Sequence, residues 1–471
     1  MKLNIIILAA GLGKRMHSAL PKVMHPIGGK PMLAHLLETA RALSPHAIYV
    51  VQNALMPSLS TYFKEETAVD NLLNWVTQSQ QLGTADAVKS VLPYLLDSIH
   101  PKDEQVLILY GDTPLVSAEL LKVFLKNTTK KTGIGFIGTK MDNPTGLGRV
   151  IRNAEHQPIA IIEEKDATDE IRAIKEVNTG IFCLPLTLLQ SLLPQLSNQN
   201  AQKEYYLTDM VQLAVAKGLS VTTTTAPISE EMMGVNTKAQ QADVERYYQK
   251  KQAQELLAQG VSILDPHRID IRGVLQCGTD VVIDVNTIFE DHVLLGDRVK
   301  IGANSILIDC EIGNDSEILP FSHLSGVKIG KRCQIGPYAR IRPGTELAED
   351  VKIGNFVEVK KSVIGDHSKV NHLSYIGDAT IGASVNVGAG TITCNYDGVN
   401  KFQTIIEDEV LIGSDTQLIA PVMIKKGSTV AAGSTVVRDT EAGKLTLTQK
   451  LDQRVLENWV RPTRLEEKKS K

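Results

Sequence analysis

Residues Val370–Gly390 read VNHLSYIGDATIGASVNVGAG, with an aliphatic residue followed by glycine at Ile376-Gly377, Ile381-Gly382 and Val387-Gly388. The same dipeptide occurs at Leu295-Gly296, Ile301-Gly302, Ile312-Gly313, Ile329-Gly330, Ile335-Gly336, Ile353-Gly354, Ile364-Gly365 and Ile412-Gly413. The steps are mostly six residues, or six multiplied with a one-residue slip. A helix repeats near 3.6 and a single strand on 2, so neither accounts for six. A coil of short parallel strands does. Each six-residue side sends one aliphatic side chain inward and turns at a small residue. Glycine suits that turn because it has no Cβ to clash where the backbone bends.

This hexapeptide rhythm resembles that of left-handed parallel β-helices, a signature common among acyltransferases that use acetyl-CoA or acyl-carrier protein. The left hand is taken from that resemblance, since crossover connections otherwise favour the right hand. The rhythm begins near Val274 and breaks between Val387-Gly388 and Ile412-Gly413. There Cys394–Thr404, CNYDGVNKFQT, is predicted to leave the coil as a loop. The tail from Gln449 is charged, with Trp459 as a candidate anchor and a disordered end expected at EEKKSK.

Upstream the pattern changes. Leu3–Ala10 reads as a parallel strand buried on both faces. A helix is predicted from Pro31 through Leu43, proline being a good first-turn residue. Strands follow at Ala47–Gln52, Val106–Tyr110, Ile134–Gly138, Val177–Leu184 and Val221–Ala226, and helices at Gly83–Leu96, Leu186–Leu193 and Tyr206–Lys217. Alternating strands and helices predict an open, mostly parallel, Rossmann-like α/β sheet. Ligands on such sheets sit beyond the carboxyl ends of the strands. From Lys238 to Gln259 the chain is polar, without glycine or proline, and reads as a connecting helix. The expected organisation is an α/β domain over 1–237, a linker helix over 238–259 and a coil with its tail over 260–471, since 471 residues exceed one core.

A net charge of −3 gives no global field to draw in nucleic acid, so anionic substrates would be met by local Arg and Lys. Cys183, Cys277, Cys310, Cys333 and Cys394 are odd in number and form no CxxC pair. They argue for a reducing cytosol and against a disulfide framework or zinc site. The apolar run Lys2–Ala10 is too brief for a signal peptide, and no run approaches membrane-spanning length.

Leu8-Ala9-Ala10-Gly11, with Gly13 and Arg15, forms a glycine loop directly after the first strand. Glycines let backbone N–H groups approach phosphate, and a basic residue offsets its charge. No Lys-Ser/Thr pair closes the loop, so it is not a Walker A loop, nor is it a full GxGxxG. Taken alone, a plain tight turn is the competing reading. Lys22 lies downstream in LPK, and Asp112 ends a buried strand in YGD. A buried carboxylate without a partner is costly. Magnesium, which uses one or two oxygen side chains plus substrate phosphates, is the natural partner, with a turn cap as the alternative.

The motifs LAAGLGKRM, LPKVMH, Gln78 with QLGTADA, YGD, GLGR, IIEEKDA, VNTGI and GVN closely resemble those of the sugar-nucleotide pyrophosphorylases. Over nearly the whole chain the resemblance is to one bacterial family: the bifunctional N-acetylglucosamine-1-phosphate uridyltransferases/glucosamine-1-phosphate acetyltransferases. It implies that Leu8, Ala9, Ala10, Gly11, Gln78, Gly83 and Thr84 hold the uridine nucleotide. It places Gly111, Gly148, Glu163 and Asn178 on the sugar side, counts Tyr110 among the substrate-binding residues and puts Mg²⁺ on Asp112 and Asn236. Arg15 and Lys22 would stabilise charge developing on the transferring phosphorus. In the coil, His372 matches the general base for attack of the substrate amine on acetyl-CoA. Arg342 and Lys360 would grip the sugar phosphate, Tyr375, Asn386 and Asn395 would orient the sugar, and Ala389, Asn395, Tyr396, Ser414 and Ala432 match coenzyme contacts.

The resemblance further implies UTP, N-acetylglucosamine 1-phosphate, glucosamine 1-phosphate and acetyl-CoA as substrates, a cytoplasmic homotrimer joined through its coils, and a role in peptidoglycan and lipopolysaccharide precursor supply. Where the family carries a tail arginine, this chain has Gln449, which puts one coenzyme-phosphate contact in doubt. Two other readings are a single-activity nucleotidyltransferase with a scaffolding coil, and a non-enzymatic regulatory subunit akin to translation-initiation exchange factors. Intact Arg15, Lys22 and Asp112 speak against a dead first site, and His372, Lys360 and Tyr375 against a merely structural coil.

Overall fold

In the computed structural model, residues 2–55, 58–64, 70–95, 103–128 and 133–448 are described. The tail from Gln449, including Trp459, lies outside them. The chain divides into two compact units, Met1–Tyr248 and Gln249–Lys471, with the boundary inside the helix Lys238–Ala258.

The first unit is built on a twisted sheet. Its main path runs Val221–Thr225, Ile134–Lys140, Glu176–Pro185, Glu104–Tyr110, Lys2–Leu8, Ala47–Asn53, Leu73–Gln78. All neighbours on this path pair in parallel except Glu176–Pro185, which runs antiparallel to both strands beside it. The run KLNIIIL explains the centre. Successive side chains point to opposite faces, so Ile6 joins Val51 and Ile108 in one core layer while Ile5 and Ile7 join Ile48, Val50 and Leu107 in the other. Full burial of each such side chain stabilises by about 1.5–3 kcal/mol.

The elements not anticipated from the sequence include the edge strand Leu73–Gln78, the hairpin Arg149–Arg152/Pro158–Ile162, and the helices Ala118–Thr128 and Asp169–Arg172. The expected single helix over Gly83–Leu96 is two short ones, Thr84–Lys89 and Leu92–Leu95, with residue 96 outside the described set. Pro93, which has no N–H to donate, falls in the first turn of the second.

The second unit is a left-handed parallel β-helix. Its rungs stack in register, Ile301 on Ile318 on Ile335 on Ile353, all buried. One full turn takes 17 or 18 residues. The step widens to 25 between Ala383 and Asp408, where residues 395–403 leave the coil; Cys394 and Thr404, expected in the loop, are instead paired in its strands. Strand pairing begins at Ser262–Ile263, earlier than Val274, because Ile263 and Ile283 occupy the inward column without a following glycine.

The reason for glycine also differs from the sequence reading. The left-handed backbone falls at the corner residue two positions later: Arg298, Asn304, Asp315, Arg332, Phe356, His367 and Ser384 all have φ between 55° and 62°. Most motif glycines are required instead by close approach of the next turn; Gly336, with φ 102°, is an exception. A Cβ on Gly313 would lie 2.7 Å from Gly330 backbone, on Gly330 2.4 Å from Ala348 O, and on Gly354 1.9 Å from Asn371 O.

Candidate functional site

Strands Lys2–Leu8 and Glu104–Tyr110 pair with Leu8 beside Tyr110, so the chain leaves both at the same level. Gly111 N–H donates to Leu8 O at 2.9 Å, and a Cβ on Gly111 would meet that same oxygen at 2.9 Å. The loop after the first strand is pinned by Ala9 N–H donating to Val51 O (2.9 Å) and Asn53 Nδ2 donating to Ala10 O (3.0 Å). Gly13 has φ 60°, and a Cβ there would stand 2.8 Å from Lys22 Cβ. Glycine at this place both bends the loop and lets it lie on Lys22.

Three distant stretches meet at that lysine. Lys22 Nζ donates to Asp112 Oδ2 at 2.5 Å and to Asn236 Oδ1 at 3.1 Å. The Lys22 and Asp112 side chains are only 12% and 15% exposed. Val235 N–H donates to Asp112 O at 2.8 Å, which brings the GVN segment alongside YGD. One carboxylate and one amide oxygen therefore converge on a single positive charge. This donor set suits a hard divalent cation whose remaining ligands are water and phosphate. Among the described residues no cluster of three or more His, Cys, Asp or Glu could hold a metal by itself. Arg15 lies exposed on the Lys14–Met16 turn, with no hydrogen bond or ion pair among the described residues.

Gln78 is buried, its Nε2 donating to Asp86 Oδ2 (2.7 Å) and Gly83 O (3.3 Å). Gly83 has φ 115° and lies so close to Tyr205 O that a Cβ would stand 2.6 Å away. Thr84 Oγ1 accepts from Leu207 N–H at 3.0 Å. The Tyr110 ring rests on Gly180, where a Cβ would come within 2.7 Å of it, and burial pushes its hydroxyl pKa up.

Gly148, Glu163 and Asn178 form one cluster. Asn178 N–H donates to Gly148 O at 2.9 Å, and a Cβ on Gly148 would lie 3.3 Å from Glu163 Oε1. Thr208 Oγ1 donates to the same Glu163 oxygen at 3.0 Å. Burial pushes the Glu163 carboxyl pKa up, opposed by that hydrogen bond. Asn178 Oδ1 is buried without a partner among the described residues, a group that bound ligand would satisfy. A cavity of about 470 Å³ opens beside Glu163, bounded also by Asp166, Tyr206 and Asp209. Burial, aided by the Asp166 charge, pushes the Asp209 carboxyl up to about 6.

On the coil, the predicted residues fall into columns. Arg342 pairs with Lys360, which pairs with Gly377 on the next turn. Tyr375 lies in the same sheet between Glu358 and Ile392. Arg342 Nη1 donates to Glu358 Oε1 (2.8 Å), and Lys360 Nζ to Asp378 Oδ2 (3.4 Å). Asn395, buried, donates through Nδ2 to the same Asp378 oxygen. Lys401 reaches this group from the excursion loop. The neighbouring Lys360 ammonium pushes the Lys401 pKa down.

His372 stands exposed on another sheet, with Asn355 Oδ1 3.0 Å from its Nδ1. Asn386 is on that sheet too, but pairs with Lys369. Ala389, Ser414 and Ala432 line up at one corner of successive turns. Asp415 N–H donates to Ala389 O (2.7 Å), and Gly433 N–H to Ser414 O (2.8 Å). Tyr396 is exposed, its hydroxyl donating to Gly398 O at 2.6 Å. Among the described residues no hydrogen bond joins His372 to Arg342, Lys360, Tyr375 or Asn386. Sequence reading passed over Gly180, Asn355, Asp378 and Lys401. Asn355 and Asp378 were findable, since each stands one turn, 17 or 18 residues, from its partner.

All five cysteines are free. Among the described residues no helix is long and apolar enough to cross a membrane.

Residues 5–180 match the family of MobA-like NTP transferase domains. Residues 309–342 and 326–361 match the bacterial transferase hexapeptide (six repeats), and 403–438 the hexapeptide repeat of succinyl-transferase. The chain is 53% identical over 464 residues to the Bifunctional protein GlmU of Nitrosospira multiformis, covering 98% of each. It is 50% identical to the proteins of that name from Cupriavidus pinatubonensis and Ralstonia nicotianae, covering 98% of this chain and 99% of each relative.

Proposed function

The chain belongs to the bifunctional GlmU family, and from that membership we propose which residues carry each of its two reactions. It is an enzyme of UDP-N-acetylglucosamine synthesis, on the route to peptidoglycan. The coil acetylates glucosamine 1-phosphate, and the α/β domain transfers UMP from UTP to N-acetylglucosamine 1-phosphate, releasing pyrophosphate. We assign uridyl transfer to 1–237, the linker helix to 238–259 and acetyl transfer to 260–471.

The meeting of Lys22, Asp112 and Asn236 carries the reading of the first site. Asp112 and Asn236 would hold Mg²⁺, which supplies charge neutralisation and orientation of the triphosphate when bound. The Lys22 ammonium is then free to turn to the α-phosphate. The Leu8–Gly11 loop approaches the phosphates with the N–H groups of Ala10 and Gly11, and Arg15, exposed beside it, stabilises charge developing on the transferring phosphorus with Lys22. Gln78, Gly83 and Thr84 hold the uridine. Tyr110, Gly111, Gly148, Glu163 and Asn178 hold the sugar, so that its phosphate oxygen attacks the α-phosphorus in line with the departing oxygen. Positioning and charge do the chemistry, with no covalent intermediate.

In the coil, the Asn355 amide oxygen only accepts, so His372 Nδ1 carries a proton and Nε2 is the nitrogen left to act as base. Nε2 takes a proton from the amine as its nitrogen attacks the thioester carbonyl of acetyl-CoA. The C–N bond forms, the C–S bond breaks, and the thiolate leaves as coenzyme A. Arg342 and Lys360 grip the sugar phosphate. Tyr375, Asn386 and Asn395 orient the sugar, and Ala389, Asn395, Tyr396, Ser414 and Ala432 receive the coenzyme. The separation of His372 from the Lys360 column supports sites completed between coils of a homotrimer. Free cysteines support a cytoplasmic location.

The test is thiol release from acetyl-CoA by the purified protein with and without glucosamine 1-phosphate. Release that requires the sugar supports both activities. No release, in protein that still makes UDP-N-acetylglucosamine from the acetylated sugar phosphate, would reduce the coil to a scaffold.

A further inference from the structure

We infer that Arg149 is a positioning residue for the sugar phosphate: its buried guanidinium ties together, from behind, the segments that carry Gly148 and Glu163, and its backbone pairs with the strand that carries Asn178. The inference rests on the assignment of those three residues to the sugar.

Arg149 is 1% exposed and heads the large, fully buried side chains of the molecule. Its backbone pairs with Val177 on one side and Ile162 on the other. Each of these neighbours is one residue before a sugar-side residue, and Arg149 is itself one residue after Gly148. Side chains alternate across a strand, so Gly148, Glu163 and Asn178 face away from the Arg149 row. The arginine lies directly behind them.

The side chain ties the first two of these segments to the helix that precedes the third. Nη2 is 2.7 Å from Glu164 Oε2. Nε and Nη2 each donate to Arg172 O at 3.3 Å, and Nη1 donates to Leu147 O. One planar fork thus holds the GLGR loop, the turn after Ile162 and the end of the helix Asp169–Arg172. Burying a guanidinium is unfavourable by several kcal/mol unless it is paired and hydrogen-bonded, and an apolar side chain could fill space without that penalty. What the arginine adds is rigid, multidirectional donation, which a lysine lacks. Its charge is taken up by Glu164, and the groups that set the Glu163 proton affinity are Thr208, Asp209, Asp166 and Glu204. The effect is therefore one of placement.

The test compares R149M and R149K in the full-length protein, reading KM for N-acetylglucosamine 1-phosphate, KM for UTP, the pH profile of uridyl transfer, and acetyl transfer. R149M is expected to raise the sugar-phosphate KM about tenfold or more, as loosened first contacts do. The UTP KM should stay within about twofold, with the pH profile and acetyl transfer unchanged. R149K, which keeps the ion pair but not the fork, should fall between. Where R149M does not fold, R149K decides by the same split. Equal changes in both KM values, or none in either, overturn the inference. N178A is the control. A raised sugar-phosphate KM in N178A with none in the Arg149 variants rejects the role of Arg149. An unchanged KM in N178A rejects the sugar placement itself, and the inference with it.

Discussion

The Lys22 ammonium and the Asp112 carboxylate stand 2.5 Å apart, and the Asn236 amide oxygen lies 3.1 Å from the same nitrogen. A lysine is thereby held where two oxygens invite a cation. If Asp112 and Asn236 take Mg²⁺ as proposed, the ammonium would give up both oxygens and be left to a substrate phosphate.

Asp112→Asn keeps the shape of that pair and removes its charge. Uridyl transfer is expected to fall by at least about a hundredfold, while acetyl transfer stays within about twofold. Paired assays on one preparation measure this. Equal loss of both activities in folded protein would refute two separate sites.

Asn355 orients His372 through Nδ1. His372→Ala should lower acetyl transfer by about 10²–10⁴-fold, the range for a general base. Asn355→Ala, which leaves the base but frees its ring, should lose about tenfold. Neither should touch uridyl transfer. Full acetyl transfer in His372→Ala would remove it from the role.

A methyl group on Gly354 would stand 1.9 Å from Asn371 O, one residue before His372. Gly354→Ala is expected to destabilise the coil by about 1–3 kcal/mol, as overpacking does, and to lower acetyl transfer with it. Urea unfolding of the coil and the activity assay read the two effects. An unchanged midpoint would mean that the turns can separate without strain.

The Asp209 carboxyl is pushed up to about 6, against about 3.9 in an unfolded chain. The folded state holds this proton more tightly. The stability from it is full below pH about 4 and is lost as pH rises through about 6. Asp209→Asn should flatten that part of the pH–stability curve. The change should be under about 2 kcal/mol, since solvent and the positive end of its helix both temper it. An unaltered slope in thermal unfolding between pH 4 and 7 would rule out Asp209 as its source.

Much of this molecule is written locally. The six-residue rhythm specifies a coil because successive turns repeat the same inward aliphatic, in most of them followed by a tightly packed glycine, so no long-range information is needed. The run KLNIIIL likewise announces a strand buried on both faces. The edge strand LNWVTQ and the hairpin around Arg149 were hidden because short, half-polar segments become strands only when a neighbour supplies their hydrogen bonds. The glycine loop, Lys22 and Asp112 could be named as candidates from residue type and position.

What the tertiary structure decided is company. Lys22 meets partners 90 and 214 residues away, because parallel crossovers bring the carboxyl ends of separate strands to one level. Arg149 gains its place behind the sugar-side residues only from the register that aligns it with Val177 and Ile162. Periodicity is a property of neighbours along the chain and can be read from it. Convergence depends on register between elements, which forms only when the hydrophobic layers close.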